Sequence, residues 1–329
     1  LTKPIQKKNA DLSLIADEKG RVFLSIIIVT FNNLPEIETC LQSLAVAARG
    51  YKTQLILIDN QSSDGTAEWL TAQRPQLSRT FHSLHLQIND RNRGFTAAIN
   101  QGLARAQGDT LLLLNPDVQL TEAVLPALLN HLRGADRVGV VAPQLRFADG
   151  TIQPSCRRLP RRRDIVFEPM PLRWQRSLGL RSWKMPEFDH SYSVSVDQPQ
   201  GAFLLFRRSV LDAVGRLDER FFMFFSDVDW CRRVKEAGYE IWFVADVFVY
   251  HHQGSSVHRR RAAMLVTSHR SFRAYFRKYD RTFWQKTGTI IVSFILLISL
   301  LFRLLSNAVA GVVRRTGGTQ WEPRGGRGD

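Results

Sequence analysis

Four short stretches of this chain set side chains capable of ionic or proton-transfer chemistry beside apolar runs. In LLLLNPDVQL (111–120) four leucines lead straight into Asn115-Pro116-Asp117. In SDVDW (226–230) Ser226, Asp227 and Asp229 stand where a helix would begin. VFVYHHQG (247–254) ends a β-branched and aromatic run in His251 and His252, and NDRNRGF (89–95) sets Asn92, Arg93 and Gly94 before a helical segment.

Each group has a chemistry and a plain structural use. Asn-Pro-Asp is ordinary turn chemistry, with Pro fixing φ and Asp starting a helix. The same carboxylate, helped by phosphate oxygens of a ligand, also suits a hard cation such as Mg2+ or Mn2+. Ser226 as N-cap and Asp229 three residues on have the spacing of a capping box, and Asp229 stands at i,i+4 from Arg233. Asp227 then reads as a first-turn acid favoured by the helix dipole or as a general base at the mouth of a cleft. The dipole would lower its pKa and weaken it as a base. Strand alternation turns one of His251 and His252 toward a cleft, where it is a ligand or simply a surface residue. The basic runs RRLPRRR (157–163) and HRRR (258–261) read as solvated charge or as a contact with anionic lipid.

These side chains need elements to position them. FLSIIIVT (23–30), QLILID (54–59), LHLQI (84–88) and DTLLLL (109–114) read as strands, the continuously apolar ones buried on both faces. Between them, Asn33 and Pro35 start a helix whose face is Ile37, Leu41, Leu44 and Ala48, SSDGTAEWL starts a second, and NRGFTAAINQGLARAQG forms a third that ends at Gly108. Alternation of this kind argues a parallel sheet with helices on both faces. The junctions Thr30-Phe31-Asn32, Asp59-Asn60, Asn92-Arg93-Gly94 and Asn115-Pro116-Asp117 then fall on one edge of that sheet, where α/β proteins bind ligands. Asp59 is either part of that edge or the cap of the next helix. Farther on, VGVVAPQLRF (138–147), GAFLLFRR (201–208) and YEIWFVADVFVYHH (239–252) read as strands, and RFFMFFSDVDWCRRVKEAG feeds a helix that stops at Gly238.

The composition bounds the answer. A chain of 329 residues, 44% of them hydrophobic, can bury a sizeable core in one large domain or two ordinary ones. Its formal net charge of +15 points to an anionic partner. Cys40, Cys156 and Cys231 are far apart and form no CxxC pair, so a reduced compartment without disulfides or structural zinc is expected. Residues 1–22 lack the apolar core of a signal peptide, whereas GTIIVSFILLISLLF (288–302) carries no charge.

Taken in order, SIIIVTFNN, LILIDNQSSDGT, NRGFTAAINQGLARAQGDTLLLLNPDV, GAFLLFRR, DERFFMFFSDVDWCRRVKEAGY and VYHHQGSS resemble family 2 glycosyltransferases, and most nearly the bacterial rhamnosyltransferase-like branch that builds cell-wall and O-antigen glycans. The resemblance covers residues 23–275. It implies an α/β GT-A fold with a mostly parallel central sheet, and an enzyme that inverts the anomeric centre of a dTDP-, UDP- or GDP-sugar. It further implies that Thr30 and Asp59 contact the nucleotide base, that Arg93-Gly94 lies near ribose and diphosphate, and that Asn32, Asn92 and Asn115 belong to the same cofactor-binding set. Asp117 matches the last carboxylate of the family's metal motif for Mg2+ or Mn2+, Asp227 matches the catalytic base, and His251 matches the histidine of an H-x-x-G-x-S pattern that touches metal or diphosphate. Two residues depart from that pattern: Asn115 replaces an Asp, removing one charged ligand, and Ser226 replaces the Glu before the base, which bears on acceptor binding.

The expected layout is an N-terminal extension (1–22), a glycosyltransferase domain (23–275) with a nucleotide-sugar half (23–118) and an acceptor half (119–275), a membrane-associated helix or hairpin (284–313), and a disordered basic tail (314–329). Rhamnose is the sugar this branch suggests, a lipid-linked glycan the acceptor, and an anionic surface on the cytoplasmic face of the bacterial inner membrane the place. A nucleic-acid-binding protein would need a basic helix or an aromatic-studded sheet aligned with the basic runs, and neither is present. An inactive membrane scaffold of the same fold would have no use for the Asp117/Asp227 pair. A nucleotidyltransferase would need a glycine-rich basic loop after the first strand, and the chain has Phe31-Asn32-Asn33 there.

Overall fold

Three apolar runs, Leu24–Thr30 (β1), Thr53–Asp59 (β2) and Thr110–Leu114 (β4), are buried at every position in the computed structural model, which describes residues 24–167, 170–252 and 261–298. Between and beside them run α1 (Leu34–Ala47), α2 (Thr66–Thr80), β3 (Ser83–Ile88), α3 (Phe95–Leu103) and β5 (Val118–Leu120). The chain continues through α4 (Val124–Arg133), β6 (Val138–Arg146), β7 (Ile152–Gln153), β8 (Cys156–Arg157), α5 (Arg162–Phe167) and α6 (Leu172–Ser177). It then forms β9 (Val194–Ser195), β10 (Gln198–Pro199), β11 (Phe203–Arg207), α7 (Arg208–Val214), α8 (Ser226–Glu236), β12 (Glu240–His251) and α9 (Arg261–Tyr279). Residues 283–298 are also helical.

Full burial of β1, β2 and β4 follows from helices on both faces. Leu24, Ile26 and Ile28 pack with Leu41 and Leu44 of α1, Leu70 of α2 and Leu125 and Leu128 of α4. Ile27 and Val29 face the other way, onto Ile99 and Leu103 of α3, Val210 of α7 and Trp230 and Val234 of α8. The sheet order is β3-β2-β1-β4-β11-β6-β12-β5. Strands β3, β2, β1 and β4 are mutually parallel, as is β12 on β6. Strand β11 runs antiparallel between β4 and β6, and β5 antiparallel on β12. The carboxyl ends of β1, β2 and β4 therefore share one edge. Across the sheet, β5 sets His251 opposite Val118, next to Asp117.

Three local expectations need correction. Helix α3 ends at Leu103, not Gly108. A buried pair within the sheet, Ser25 Oγ to Gln54 Oε1 at 2.7 Å, draws in the backbone N–H of Gln107 and Gly108 and pulls the chain off the helix. Gly108 serves close approach instead, since a Cβ there would stand 2.7 Å from Ser25 N. Ser226 is not an N-cap either. The flanking residue is Phe225 at φ +71°, and Ser226 is the first helical residue, donating to Met223 O. The left-handed Phe225 costs about 1–2 kcal/mol, and its ring is fixed against Phe272 and Tyr275 at centroid distances of 4.2 and 5.6 Å. The run at 157–163 is not simply a solvated charge run: Arg158 donates to Ser182 O and pairs with Glu187, and Arg162 pairs with Asp280 and donates to Thr289 Oγ1.

The expected pairing of Asp229 with Arg233 is present at 3.0 Å. Asp229 is wholly buried and also meets Lys278 Nζ at 2.6 Å and the Tyr279 hydroxyl at 2.8 Å, so one carboxylate joins α8 to α9. Phe221, Phe225, Val228, Tyr275, Phe276 and Val292 close an apolar cluster around that joint. The three cysteines are free and buried.

Among the described residues no helix is long and apolar enough to cross a membrane. The helix at 283–298 buries Thr289 and Val292 while Phe283, Trp284, Ile290, Ile291, Phe294, Leu297 and Ile298 are exposed. The N-terminal extension, residues 253–256 of the histidine pattern, the rest of the expected membrane segment beyond 298 and the basic tail lie outside the described residues.

Asp229→Ala removes the partner of two cations from a buried site, so stability should fall by about 3–5 kcal/mol. Chemical denaturation measures this. A loss under about 1 kcal/mol would mean that the joint between α8 and α9 is not held by this carboxylate.

Candidate active site

The ends of β1 and β2 are stitched together by a single carboxylate. Asp59 accepts from the Thr30 hydroxyl at 2.8 Å, Ser62 N–H at 2.9 Å and the Ser62 hydroxyl at 2.6 Å. Thr30 and Asp59 are fully buried, and these bonds point into the protein. Asn32 takes a left-handed conformation (φ +58°), donates its N–H to Ser62 Oγ and accepts from Ser63 N–H through Oδ1. The result is a fixed polar shelf between the two strand ends.

Beside it, amides hold the 89–94 loop. Asn60 Oδ1 accepts from Asn89 Nδ2 and from Arg93 N–H, while Asn92 Oδ1 accepts from Asn60 Nδ2 and from Gly94 N–H. The Arg93 guanidinium lies at the surface on Asp90 at 3.0 Å. Gly94 is required twice over. Its φ is +86°, and a Cβ would stand 2.5 Å from the Phe222 ring and 2.9 Å from the Phe222 carbonyl oxygen.

Asn115 and Asp117 follow β4. Asn115 N–H donates to Ala202 O, continuing the β4–β11 ladder, and its carbonyl accepts from Val118 N–H. Asp117 is 14% exposed, with Oδ1 lying 3.4 Å from His251 Nε2. His251 is buried, and its Nδ1 meets Gln153 Oε1 at 3.0 Å. Nδ1–H donating to Gln153 leaves the Nε2 lone pair facing the carboxylate, an arrangement that repels unless a proton or cation lies between. Asp117 Oδ1 is buried without a hydrogen-bond partner among the described residues. One carboxylate oxygen and one imidazole nitrogen converging in this way fit a divalent cation whose remaining ligands come from outside the protein. No group of three or more His, Cys, Asp or Glu that could hold a metal by itself occurs among the described residues.

A cleft of about 520 Å3 opens beside this edge, lined by Asn115, Gln198, Gly201 and Asp227 on its polar side. Asp227 Oδ2 accepts from Gln198 Nε2 at 2.9 Å, and Oδ1 from Val228 N–H at 2.9 Å. Gly201 passes so near that a Cβ would stand 3.3 Å from the carboxylate. The sequence suggested a pKa lowered by the helix dipole; burial instead pushes the Asp227 carboxyl above its ordinary value, against bonds from Val228, Gly201 and Gln198 that favour the anion. No counter-cation pairs with it among the described residues, in contrast to Asp229 two positions away.

The structure thus brings Thr30 to Asp59 and Asp117 to His251, and sets Asn115 and Asp227 on the lining of one cleft. Thr30, Asn32, Asp59, Asn92, Arg93, Gly94, Asp117 and His251 are not among the lining of the 520 Å3 cleft. Sequence reasoning missed Gln153, which has no local signal, and Gln198. The polar Gln198-Pro199-Gln200-Gly201 stretch before an apolar strand has the same form as the other junctions and was a readable sign.

Comparison with known proteins agrees with this architecture. The glycosyl transferase family 2 model matches residues 25–215. The chain is 28% identical over 274 residues to an N-acetylglucosaminyl-diphospho-decaprenol L-rhamnosyltransferase of Mycobacterium tuberculosis, covering 80% of this chain and 86% of that one. It is 22% identical to the low-salt glycan biosynthesis hexosyltransferase Agl10 of Haloferax volcanii, covering 89% and 92% of the two chains. Among solved structures, a mannosyltransferase of Pyrobaculum calidifontis in complex with GDP-Man and Mn2+ aligns with a TM-score of 0.53 at 17% identity, over 91% of this chain and 76% of that one, and shares the GT-A fold. With well over half its length matched by the family model, the chain belongs to glycosyl transferase family 2.

Proposed function

We propose that this chain is an inverting hexosyltransferase that moves a hexose or deoxyhexose, most simply L-rhamnose, from a nucleotide-diphosphate sugar to a hydroxyl of a lipid-linked glycan. The observation that carries the reading is Asp227: a carboxylate without a counter-cation among the described residues, raised in pKa by burial, on the wall of a cleft that also holds the tip of β4. A hydroxyl is a poor nucleophile until a base takes its proton as the new bond forms. A raised pKa makes Asp227 a stronger proton acceptor than a surface carboxylate, and Gln198 and Val228 fix its two oxygens. The shelf of Thr30, Asn32 and Asp59 would seat the nucleotide, and the amide-held loop at Asn92, Arg93 and Gly94 would approach its ribose and diphosphate.

Asp117 and His251 would hold Mg2+ or Mn2+, which when bound neutralises the diphosphate leaving group. Gln153 keeps the His251 ring oriented for that task. The lipid-linked acceptor is supported by the activity of the mycobacterial relative, an N-acetylglucosaminyl-diphospho-decaprenol L-rhamnosyltransferase. Membrane attachment is supported by the exposed apolar side chains of residues 283–298, and the cytoplasmic face of the bacterial inner membrane is proposed because nucleotide sugars are made in the cytoplasm.

A thermal-shift screen of UDP-, dTDP- and GDP-sugars with and without Mn2+ identifies the donor, and the anomeric configuration of the product tests inversion. Asp117→Ala should abolish Mn2+-dependent binding of the nucleotide diphosphate in calorimetry while the fold survives. Unchanged affinity would return Asp117 to a turn residue.

Asp227→Asn should lower turnover by about 10²–10⁴ at saturating donor and acceptor, with donor affinity kept. It should also raise Tm at neutral pH. A carboxyl whose folded pKa lies above its unfolded value stabilises the fold below the unfolded pKa and loses that contribution as pH rises through the folded pKa. The Tm gain of Asp227→Asn should therefore be full at neutral pH and shrink toward zero as pH falls to the ordinary carboxylate range. Intact turnover would remove the base; a Tm gain independent of pH would remove the buried-carboxyl explanation.

A further inference from the structure

Two supports of the candidate site come from one short segment. Gln153, in β7, meets His251 Nδ1 at 3.0 Å, and His251 faces Asp117. Three residues on, Cys156 and Arg157 form β8 and pair antiparallel with Pro199 and Gln198 of β10. Ser155 O accepts from Gln200 N–H at 2.8 Å, which extends that pairing. Gln198 then reaches Asp227 Oδ2 at 2.9 Å. Residues 153–157 therefore stand behind His251 at one end and behind Asp227 at the other.

Strands β7 and β8 are two residues long, and β8 and β10 make a sheet of only two strands, a pairing that is marginal alone. His190 supplies a further tie. Its Nε2 accepts from the backbone N–H groups of Ser155 and Cys156, each at 3.1 Å. The residue is 1% exposed, its ring against Phe188 and Phe243 at centroid distances of 4.4 and 5.4 Å. Its backbone is left-handed, at φ +61°, and its carbonyl accepts from Gln144 Nε2 of β6 at 2.9 Å. A non-glycine residue keeps such a conformation only where its surroundings fix it. Two N–H groups aimed at one ring nitrogen require a bare acceptor there, so the ring proton is on Nδ1. Burial, and after it the Arg157 guanidinium, hold the imidazole below its ordinary pKa against the Asp189 carboxylate. The ring is therefore neutral at pH 7, as the two bonds need. Neither His190 nor Gln153 lines the cleft, so both act from behind it.

We infer that His190 is a positioning residue for both halves of the site: through Ser155 and Cys156 it sets where Gln153 holds His251 and where Gln198 holds Asp227. The inference rests on the roles proposed above for Asp227 and for the Asp117–His251 pair.

The test uses the full chain and two variants. His190→Leu fills the space of the ring without an acceptor, and His190→Gln keeps an amide oxygen that accepts. The Asp227 carboxyl is titrated by NMR of its side-chain carbon, the signal being assigned by its loss in Asp227→Asn. Gln198→Ala removes a bond that favours the anion and should raise the Asp227 pKa by about one pH unit or more, the scale of one hydrogen bond to a charged group. His190→Leu should raise it by a similar amount, and His190→Gln should restore it. The double variant His190→Leu/Gln198→Ala should titrate no higher than Gln198→Ala alone, since both act through one bond. The second readout is calorimetry with Mn2+ and UDP, dTDP or GDP, whichever binds the wild-type chain most tightly. There His190→Leu and Gln153→Ala should each weaken binding by about tenfold, and the two losses should not multiply when combined. Ser25→Ala disturbs a buried pair at the opposite end of β1 and serves as the control for lost stability; it should move neither readout. An Asp227 pKa unmoved in His190→Leu, or independent effects in either double variant, overturns the inference. If His190→Leu does not fold, Gln144→Met, which frees the His190 carbonyl, takes its place and is judged by the same outcomes. Turnover of Asp227→Asn judges the transferase reading separately. Intact turnover with linked shifts removes the base and leaves positioning by His190 standing; lost turnover with independent shifts sinks the positioning alone.

Discussion

Burial of β1, β2 and β4 on both faces is the constraint from which the rest of the architecture follows. Each buried Leu or Ile side chain contributes about 1.5–3 kcal/mol, and these strands hold little else between their ends. A strand packed under helices on both sides has no face left for polar chemistry. Its polar residues can stand only where the strand leaves the sheet. Thr30, Asp59 and Asn115 are at those exits, and the carboxylate of Asp59 binds two exits together before any ligand arrives. The same logic explains Ser25 and Gln54, polar residues inside β1 and β2: they satisfy each other and the backbone at 107–108, and in doing so end α3 early.

The first half of the chain supplies the shelf and Asp117, and the second half supplies Asp227 on α8 and His251 at the end of β12. Strand β11 enters beside β4, so the Gln198–Gly201 approach to it runs against Asp227. Strand β5 folds back on β12 and puts Asp117 beside His251, residues 134 positions apart in the sequence. Neither meeting is a local event. Each follows from a strand pairing that closes only when the whole sheet is assembled, so a defect in β12 would disturb the Asp117–His251 pair without touching Asp117.

Local features were legible in the sequence, and non-local ones were legible only through resemblance. The strand runs, the start of α1 at Asn33 and Pro35, the stop at Gly238 and the Asp229–Arg233 pair all rest on spacing within a few residues, and all are present. Gly108 misled because a glycine after a helical run looks the same whether it caps the helix or admits a neighbouring strand. Ser226 misled because Ser-x-x-Asp satisfies the capping pattern, yet Phe225, packed against α9, takes the left-handed conformation and the flanking position, which makes Ser226 the first helical residue. For Asp227 the sequence offered the dipole but not the burial, and burial decides the direction. Arg157 looked like part of a solvated run because nothing in RRLPRRR tells which guanidinium turns toward a cleft formed partly by residues more than a hundred positions away.

Asp227 and Asp229 show how one helix turn separates these demands. Two residues along an α-helix rotate the side chain by about 200°, so the two carboxylates face nearly opposite directions. Asp229 looks toward α9, where Lys278 and Tyr279 satisfy it together with Arg233 of its own helix, and the joint between helices gains a buried ion pair. Asp227 looks into the cleft, where Gln198 and backbone N–H groups hold its oxygens and no cation among the described residues pairs with it. Had both faced α9, the cleft would lack a carboxylate; had both faced the cleft, their mutual repulsion would have favoured protonation of one of them. The αL residue at Phe225 sets this rotation, because it fixes where the first turn begins. A strained aromatic residue just outside the helix therefore bears on which acid joins α9 and which faces the cleft.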